Sequence, residues 1–297
     1  MNASSGEAVR DRARIVVLSS PLVPQGIEVM RTWYRTQAFP RHSHAYLTLG
    51  VMLQGVGTLW LRGETRVLHR GDVVVIAPGD VHTGGLGDGK GLLSYAALHV
   101  PTEVLAAASE AAGRAAAADA FASRVTRDPS IAGALRRVSA GLEQSDDVTF
   151  ATEAAVSAIA LLSRQSRNGS HEQRPSAPEP GFVRRARETI DECFARNAEV
   201  TLEALAVAGG ISPFHLTREF TRAAGLSPHR YVIQARVRRA AELLAAGQRP
   251  SDVAATVGFV DQSHLTAHFR RQVGTTPAAY QRAHASTANV RKADVRG

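Results

Sequence analysis

HLTREFTRAAGLSPHRY, residues 215–231, returns 49 positions later as HLTAHFRRQVGTTPAAY, residues 264–280. Eight of the 17 positions agree without a gap: His, Leu, Thr, Phe, Arg, Gly, Pro and Tyr. Repetition this dense marks a duplicated structural unit rather than shared composition. It continues upstream, where Ala206 matches Ala255 and Gly209 matches Gly258.

Each copy carries the same physical instructions. A short helix is expected at 202–208 and again at 251–257, ended by Gly209-Gly210 or by Gly258, because glycine takes the left-handed conformation that turns a chain out of a helix. A second helix then starts at Ser212-Pro213 or at Asp261, where Ser and Asp cap free backbone N–H groups and proline suits the first helical position. Leu216 and Phe220, like Leu265 and Phe269, stand four residues apart and so share one inward face. Short helix, tight turn and second helix is the helix-turn-helix pattern, whose second helix enters a DNA major groove. The copies are joined by a helix expected over about 229–246, with Ile233, Val237, Ala240, Ala241 and Leu244 at helical spacing. At 1.5 Å per residue it spans about 27 Å, comparable to the roughly 34 Å between successive major grooves on one face of DNA.

Charge agrees with that reading. Residues 183–297 hold 17 Lys+Arg against 10 Asp+Glu, whereas residues 1–182 hold 18 against 17. Almost all of the net charge of +8 therefore sits in the last third, as expected of a module that binds a polyanion.

The stretches ISPFHLTREFTRAAGLSPHRYVIQARVRRAAELL and VGFVDQSHLTAHFRRQVGTTPAAYQR resemble the DNA-binding domain of AraC/XylS-type bacterial transcription regulators. The resemblance covers residues 182–284. It implies that Phe214, Thr217 and Arg218 of the first copy, and Gln262, Ser263 and Thr266 of the second, are offered to base edges. Arg218 suits guanine and Gln262 suits adenine. Arg222 and Arg271 recur and suit phosphates or a solvated face equally. Ala267 stands where the family often has arginine, which shifts the second helix toward phosphate and shape readout. His215 and His264 recur beside the inward leucine and read as structural.

The first hundred residues have another texture. Short apolar runs broken by turn signals (YLTLGVMLQ, TLWL, TRVL, VVVIA) predict strands of a sandwich or barrel over about 14–100. Ala-rich helical periodicity follows over 102–125, 130–144 and 150–166, read as packing on the barrel and against a second subunit. NGSHEQRPSAPEPG, 168–181, has linker composition. The expected organisation is a multidomain α+β chain: residues 1–166 as an effector-binding and dimerising domain, 167–181 as linker, 182–284 as a double helix-turn-helix, and 285–297 as tail.

The run FPRHSHAYLTLG, 39–50, followed by GDVVVIAPGDVH, 71–82, resembles the small cupin barrel that serves as sensor in the same regulators. His42 and His44 alternate onto one face if this segment is a strand, and His82 closes the pattern. Three roles fit the histidines. They can line the mouth of a small-molecule pocket with Tyr46, Trp60 and Tyr95. They can support strand ends. They can also ligate zinc or iron as a three-histidine set. The carboxylate that cupin enzymes place after the His-x-His pair is missing, which argues against the metal, and no cofactor is called for.

The single cysteine, Cys193, excludes an intrachain disulfide and fits a reducing compartment. The N-terminus lacks a signal-peptide core and no apolar run is long enough for a bilayer, so a cytoplasmic, non-membrane protein is expected. The function implied is effector-responsive regulation of promoter DNA by a homodimer, with RNA polymerase as a further partner. A metal-dependent cupin enzyme with a DNA-binding tail and a constitutive DNA binder whose barrel only dimerises are the alternatives.

Overall fold

The computed structural model describes residues 11–20, 23–87, 91–111, 121–144, 147–165, 180–196, 198 and 200–294. Nine strands come first: β1 (Arg12–Ser20), β2 (Val23–Trp33), β3 (Phe39–His42), β4 (Leu47–Gln54), β5 (Gly57–Leu61), β6 (Glu64–Leu68), β7 (Val73–Ile76), β8 (His82–Leu86) and β9 (Ser94–Val100). They form two sheets, in the orders β1-β2-β9-β4-β7-β10 and β3-β8-β5-β6. Strand β10 (Arg124–Thr126) pairs antiparallel with β7. It corrects the expectation of helix through residue 125: three residues return to cap an open sheet edge, which leaves no unpaired ladder at β7.

Alternation along β2 divides the barrel's surroundings. Ile27 and Val29 join Leu18, Leu47, Leu49 and Leu98 under α1 (Thr102–Ala111), α2 (Pro129–Gln144) and α3 (Val148–Gln165). Asp128 and Asp147 accept backbone N–H bonds at the starts of α2 and α3, as caps do. The intervening residues of β2, Glu28 and Met30, face the other way because strand side chains alternate. Residues 166–179, most of the expected linker, lie outside the described residues.

The C-terminal half is helical: α4 (Gly181–Ala195), α5 (Leu202–Gly209), α6 (Pro213–Ala224), α7 (Pro228–Ala245), α8 (Pro250–Thr256), α9 (Gln262–Val273) and α10 (Pro277–Asp294). Helix α10 thus extends into the stretch expected to be tail. Ser212 and Asp261 accept the backbone N–H bonds of His215 and His264, at 3.3 and 2.7 Å. Leu216, Phe220, Leu265 and Phe269 are fully buried.

The two copies are equivalent in sequence but not in setting. The first packs with Val183, Ala186 and Ile190 of α4. The second shares its core with the barrel, since Ile15 of β1 and Met30 of β2 pack among Val237, Leu244, Phe269 and Tyr280. Gly225 and Gly274, the matched glycines of the repeat, end α6 and α9 in the left-handed conformation, with φ of +71° and +82°. Both face the barrel: a Cβ at Gly225 would press on Val81, and one at Gly274 would collide with the Tyr34 hydroxyl.

Gly210 has φ +69° with open space around its Cβ position, so Gly210→Ala should cost only the left-handed backbone penalty of roughly 1–2 kcal/mol. Gly274→Ala adds the collision with Tyr34. It should lower stability further than Gly210→Ala in urea unfolding of the full chain, and equal losses would refute a close seat for α9 on the barrel.

Candidate functional site

The surface expected to meet DNA is the N-terminal half of α6 and α9. Phe214, Arg218, Gln262 and Ser263 are exposed, Phe214 at 80%. Thr217 and Thr266 are half-buried, and their hydroxyls donate to the carbonyls of Pro213 (2.9 Å) and Gln262 (2.8 Å). Arg218 and Arg222 are exposed and converge on Glu219, at 3.1 and 2.6 Å, which holds the Glu219 carboxyl below its ordinary value, the Arg222 bond foremost. Arg271 is exposed in the last turn of α9. His264 is half-buried against His268 and Phe259, whereas His215 is exposed beside Phe182.

The second site lies between the sheets. His42 ends β3 and sits opposite His82 of β8 in register, with ring centroids 4.2 Å apart. His44 is not on that strand. It stands in the β3–β4 loop, 4.9 Å from His82 by ring centroids, so the shared strand face expected from alternation is replaced by a strand end and a loop. Proximity survives because the loop is tied down. Gly79 N–H donates to the His44 carbonyl at 2.8 Å, and Asp80 is bonded by Arg62 and Ser123. Each histidine Nδ1 lies against a backbone carbonyl: His42 on Pro40 (2.8 Å), His44 on Tyr46 (2.8 Å) and His82 on Asp80 (3.0 Å). Carbonyls only accept, so each Nδ1 carries the proton and each Nε2 carries a lone pair. Burial, with the neighbouring histidines adding to it, depresses all three imidazoles, His82 to about 3 and His44 well below the ordinary value. They are neutral near pH 7.

These rings, with Tyr46 and Tyr95, form the polar part of a cavity otherwise lined by such groups as Met52, Leu59, Leu68 and Ile76. Burial raises both tyrosines, so they remain hydrogen-bond donors. Trp60 is outside the lining, which corrects its expected place in the pocket. Its neighbours Leu59 and Leu61 point into the buried cluster, so alternation turns Trp60 outward, where Arg41 stacks over it at 4.0 Å.

Residues that sequence reading did not single out join this cavity to the DNA-binding half. Gln272 and Val273, in the last turn of α9, line it. Gln234 of α7 bonds the backbone on both sides of His42, donating to the Arg41 carbonyl (3.3 Å) and accepting from Ser43 N–H (3.4 Å). Glu28 receives the Tyr280 hydroxyl and the His284 Nε2–H, the latter at 3.1 Å, both from α10, while His99 Nδ1 stands 3.6 Å away. Burial alone would raise the Glu28 carboxyl. The bond from His284, with the His99 ring beside it, outweighs it and holds the group well below the usual carboxylate range. The available signal was the register of IEVM, which puts Glu28 on the face of Met30 rather than in solvent.

A barrel with a lined cavity, joined to two helix-turn-helix units whose first turns point outward, is the architecture of a DNA-binding protein with a second, cavity-bearing domain. Two family models match the chain accordingly: an AraC-like ligand binding domain over residues 24–160 and a helix-turn-helix domain over residues 205–283. The uncharacterized HTH-type transcriptional regulator YbfI of Bacillus subtilis is 30% identical over 80% of this chain and 86% of its own length. The HTH-type transcriptional regulator RipA of Corynebacterium glutamicum is 33% identical over half of this chain and 45% of its own. ToxT of Vibrio cholerae shares the fold, at 9% identity and a TM-score of 0.51 over 92% of this chain and 97% of that one. The chain belongs to the AraC-type transcriptional regulators, with a ligand-binding domain and a helix-turn-helix DNA-binding domain. No helix among the described residues is long and apolar enough to cross a membrane.

The Glu28 node sets a test of the domain contact. Tyr280 is buried, so Tyr280→Phe removes a bond to an ionised acceptor and should cost about 1.5–3 kcal/mol in equilibrium unfolding of the full chain. A loss below about 0.5 kcal/mol, within the range of ordinary surface changes, would show that the node contributes nothing to holding the halves together.

Proposed function

We propose that the chain regulates transcription in response to a small molecule held between the two sheets. One observation carries this reading: the wall of the cavity includes Gln272 and Val273 of the second recognition helix. An occupant that displaces them moves α9 relative to α6, whose core rests on α4 instead. DNA affinity then depends on the effector, because spacing and tilt of the two reading helices decide whether both enter successive major grooves. A ligand shifts the balance of arrangements only by its difference in affinity for them. The mostly apolar lining, with imidazole and phenol groups on one side, suits a small, largely apolar molecule with one or two polar atoms.

Base recognition is assigned to Phe214, Arg218, Gln262 and Ser263, with Thr217 and Thr266 as apolar or rotating contacts and Arg222 and Arg271 as phosphate contacts. A homodimer is supported by the exposed apolar pair Val148 and Phe150 at the start of α3, and light scattering across concentration reads it directly.

The full chain is screened by thermal shift against a metabolite panel, and its DNA site is selected from random sequence with and without any stabilising compound. A stabilising compound that changes affinity for the selected site is expected, and Gln272→Ala should weaken that change while leaving unliganded DNA binding in place. Stabilisation without any change in DNA affinity would favour a constitutive binder. Arg218→Ala should relax the preference at one base pair and cost about 1–3 kcal/mol. Glu219→Ala releases Arg218 and Arg222 from their shared carboxylate and should tighten binding and steepen its salt dependence.

A further inference from the structure

We propose that His42, His44 and His82 form a binding site for a divalent transition metal ion of the zinc, cobalt or ferrous class at the end of the cavity. Each ring offers a nitrogen within 4.8 Å of the other two. What separates this trio from an accidental cluster is the way its rings are held. All three donate Nδ1–H to a carbonyl two residues away along the chain, Pro40, Tyr46 and Asp80. That bond to the non-ligating nitrogen fixes tautomer and ring orientation in protein metal sites. It leaves three Nε2 lone pairs, and backbone carbonyls are the most rigid acceptors available for the purpose. The Nε2 of His44 receives only the Thr48 hydroxyl, at 3.1 Å, which rotates away at little cost. At the usual 2.0–2.1 Å metal–nitrogen distance the three nitrogens must close to about 3.3 Å of one another, which requires the β3–β4 loop carrying His44 to move toward β3 and β8 with each Nδ1–carbonyl bond kept.

The ligand chemistry narrows the ion. Three neutral imidazoles without a carboxylate suit zinc, cobalt and ferrous iron and disfavour magnesium and calcium, which require oxygen. Three protein ligands leave coordination positions facing the cavity, so a polar atom of a small molecule can complete the shell. The site also touches the regulatory machinery. Gln234 of α7 grips the backbone on either side of His42, and Gln272 of α9 shares the cavity wall. An ion that fixes His42 therefore fixes a segment to which the helix between the two reading units is bonded. That consequence for DNA rests on the sensory reading of the cavity, whereas the binding of the ion does not.

The test uses the full chain, stripped with a chelator, with Co2+ as probe and Zn2+ as competitor. One equivalent of Co2+ should bind saturably, with visible absorption of a low-coordinate nitrogen site, and Zn2+ should displace it. X-ray absorption of the cobalt-loaded wild-type chain should report three imidazoles, a readout that needs no variant to fold. Replacing His42, His44 or His82 by Ala should each weaken binding by more than about tenfold. The double substitution His264→Ala/His268→Ala, which removes the other close histidine pair (3.1 Å), should leave it unchanged. Absence of saturable one-equivalent binding, or binding that disappears with His264 and His268 instead, overturns the proposal. If no metal binds while an organic effector still changes affinity for the selected DNA site, the metal site alone fails and the regulatory reading stands.

Discussion

The arrangement of the molecule depends on one seat, where β1 and β2 of the barrel meet α7, α9 and α10. Ile15 and Met30 supply its apolar part, and Glu28 its polar centre. A carboxylate at such a place is costly unless its lone pairs are used, and Tyr280 and His284 bond to it, with the His99 ring close by at 3.6 Å. Because the demand is for several donors at once, the seat accepts one orientation of α10. Everything else in the relation of the halves follows from that orientation, including the approach of Gly274 to Tyr34 and the entry of Gln272 into the cavity wall.

Duplication explains why the regulator has two reading helices, but the two copies do different work. The first is completed by α4 and has its own core. The second borrows part of its core from the barrel. Because attachment is unequal, a change at the barrel reaches α9 directly and α6 only through α7 and the contact of Gly225 with Val81. Had both copies been equally free or equally fixed, a cavity between the sheets would have had no differential effect on their spacing.

Much of the fold was legible along the chain. Strand and helix periods, the capping residues Ser212 and Asp261, and the glycines 49 apart depend on local conformational preference, so they can be read without knowing what packs against them. The exceptions have local reasons too. β10 is only three residues long in an Ala-rich region, too short for any period to register, and α10 continues past His284 because no glycine or proline stops it. The site was less legible. His42, His44 and His82 could be singled out by residue type, yet their meeting depends on the cross-strand register of β3 with β8 and on the Gly79 to His44 bond. Trp60 was assigned to the wrong face because the direction of β5's alternation is set by which sheet it faces, a fact outside its own residues.

The sequence by itself determined the family, the duplicated helix-turn-helix and the β-rich first half, because repeat spacing, capping chemistry and charge distribution are properties of short segments. Tertiary structure alone decided that the barrel and the second reading helix share a wall, that Glu28 is the joint between them, and that three histidines from a strand end, a loop and a facing strand converge with their Nδ1 protons committed. The Nδ1 bonds are local, two residues along the chain, but the meeting of His82 with His42 and the bonds of Glu28 to α10 join residues far apart in the sequence, where no local preference reaches and only packing and hydrogen-bond satisfaction choose the partner.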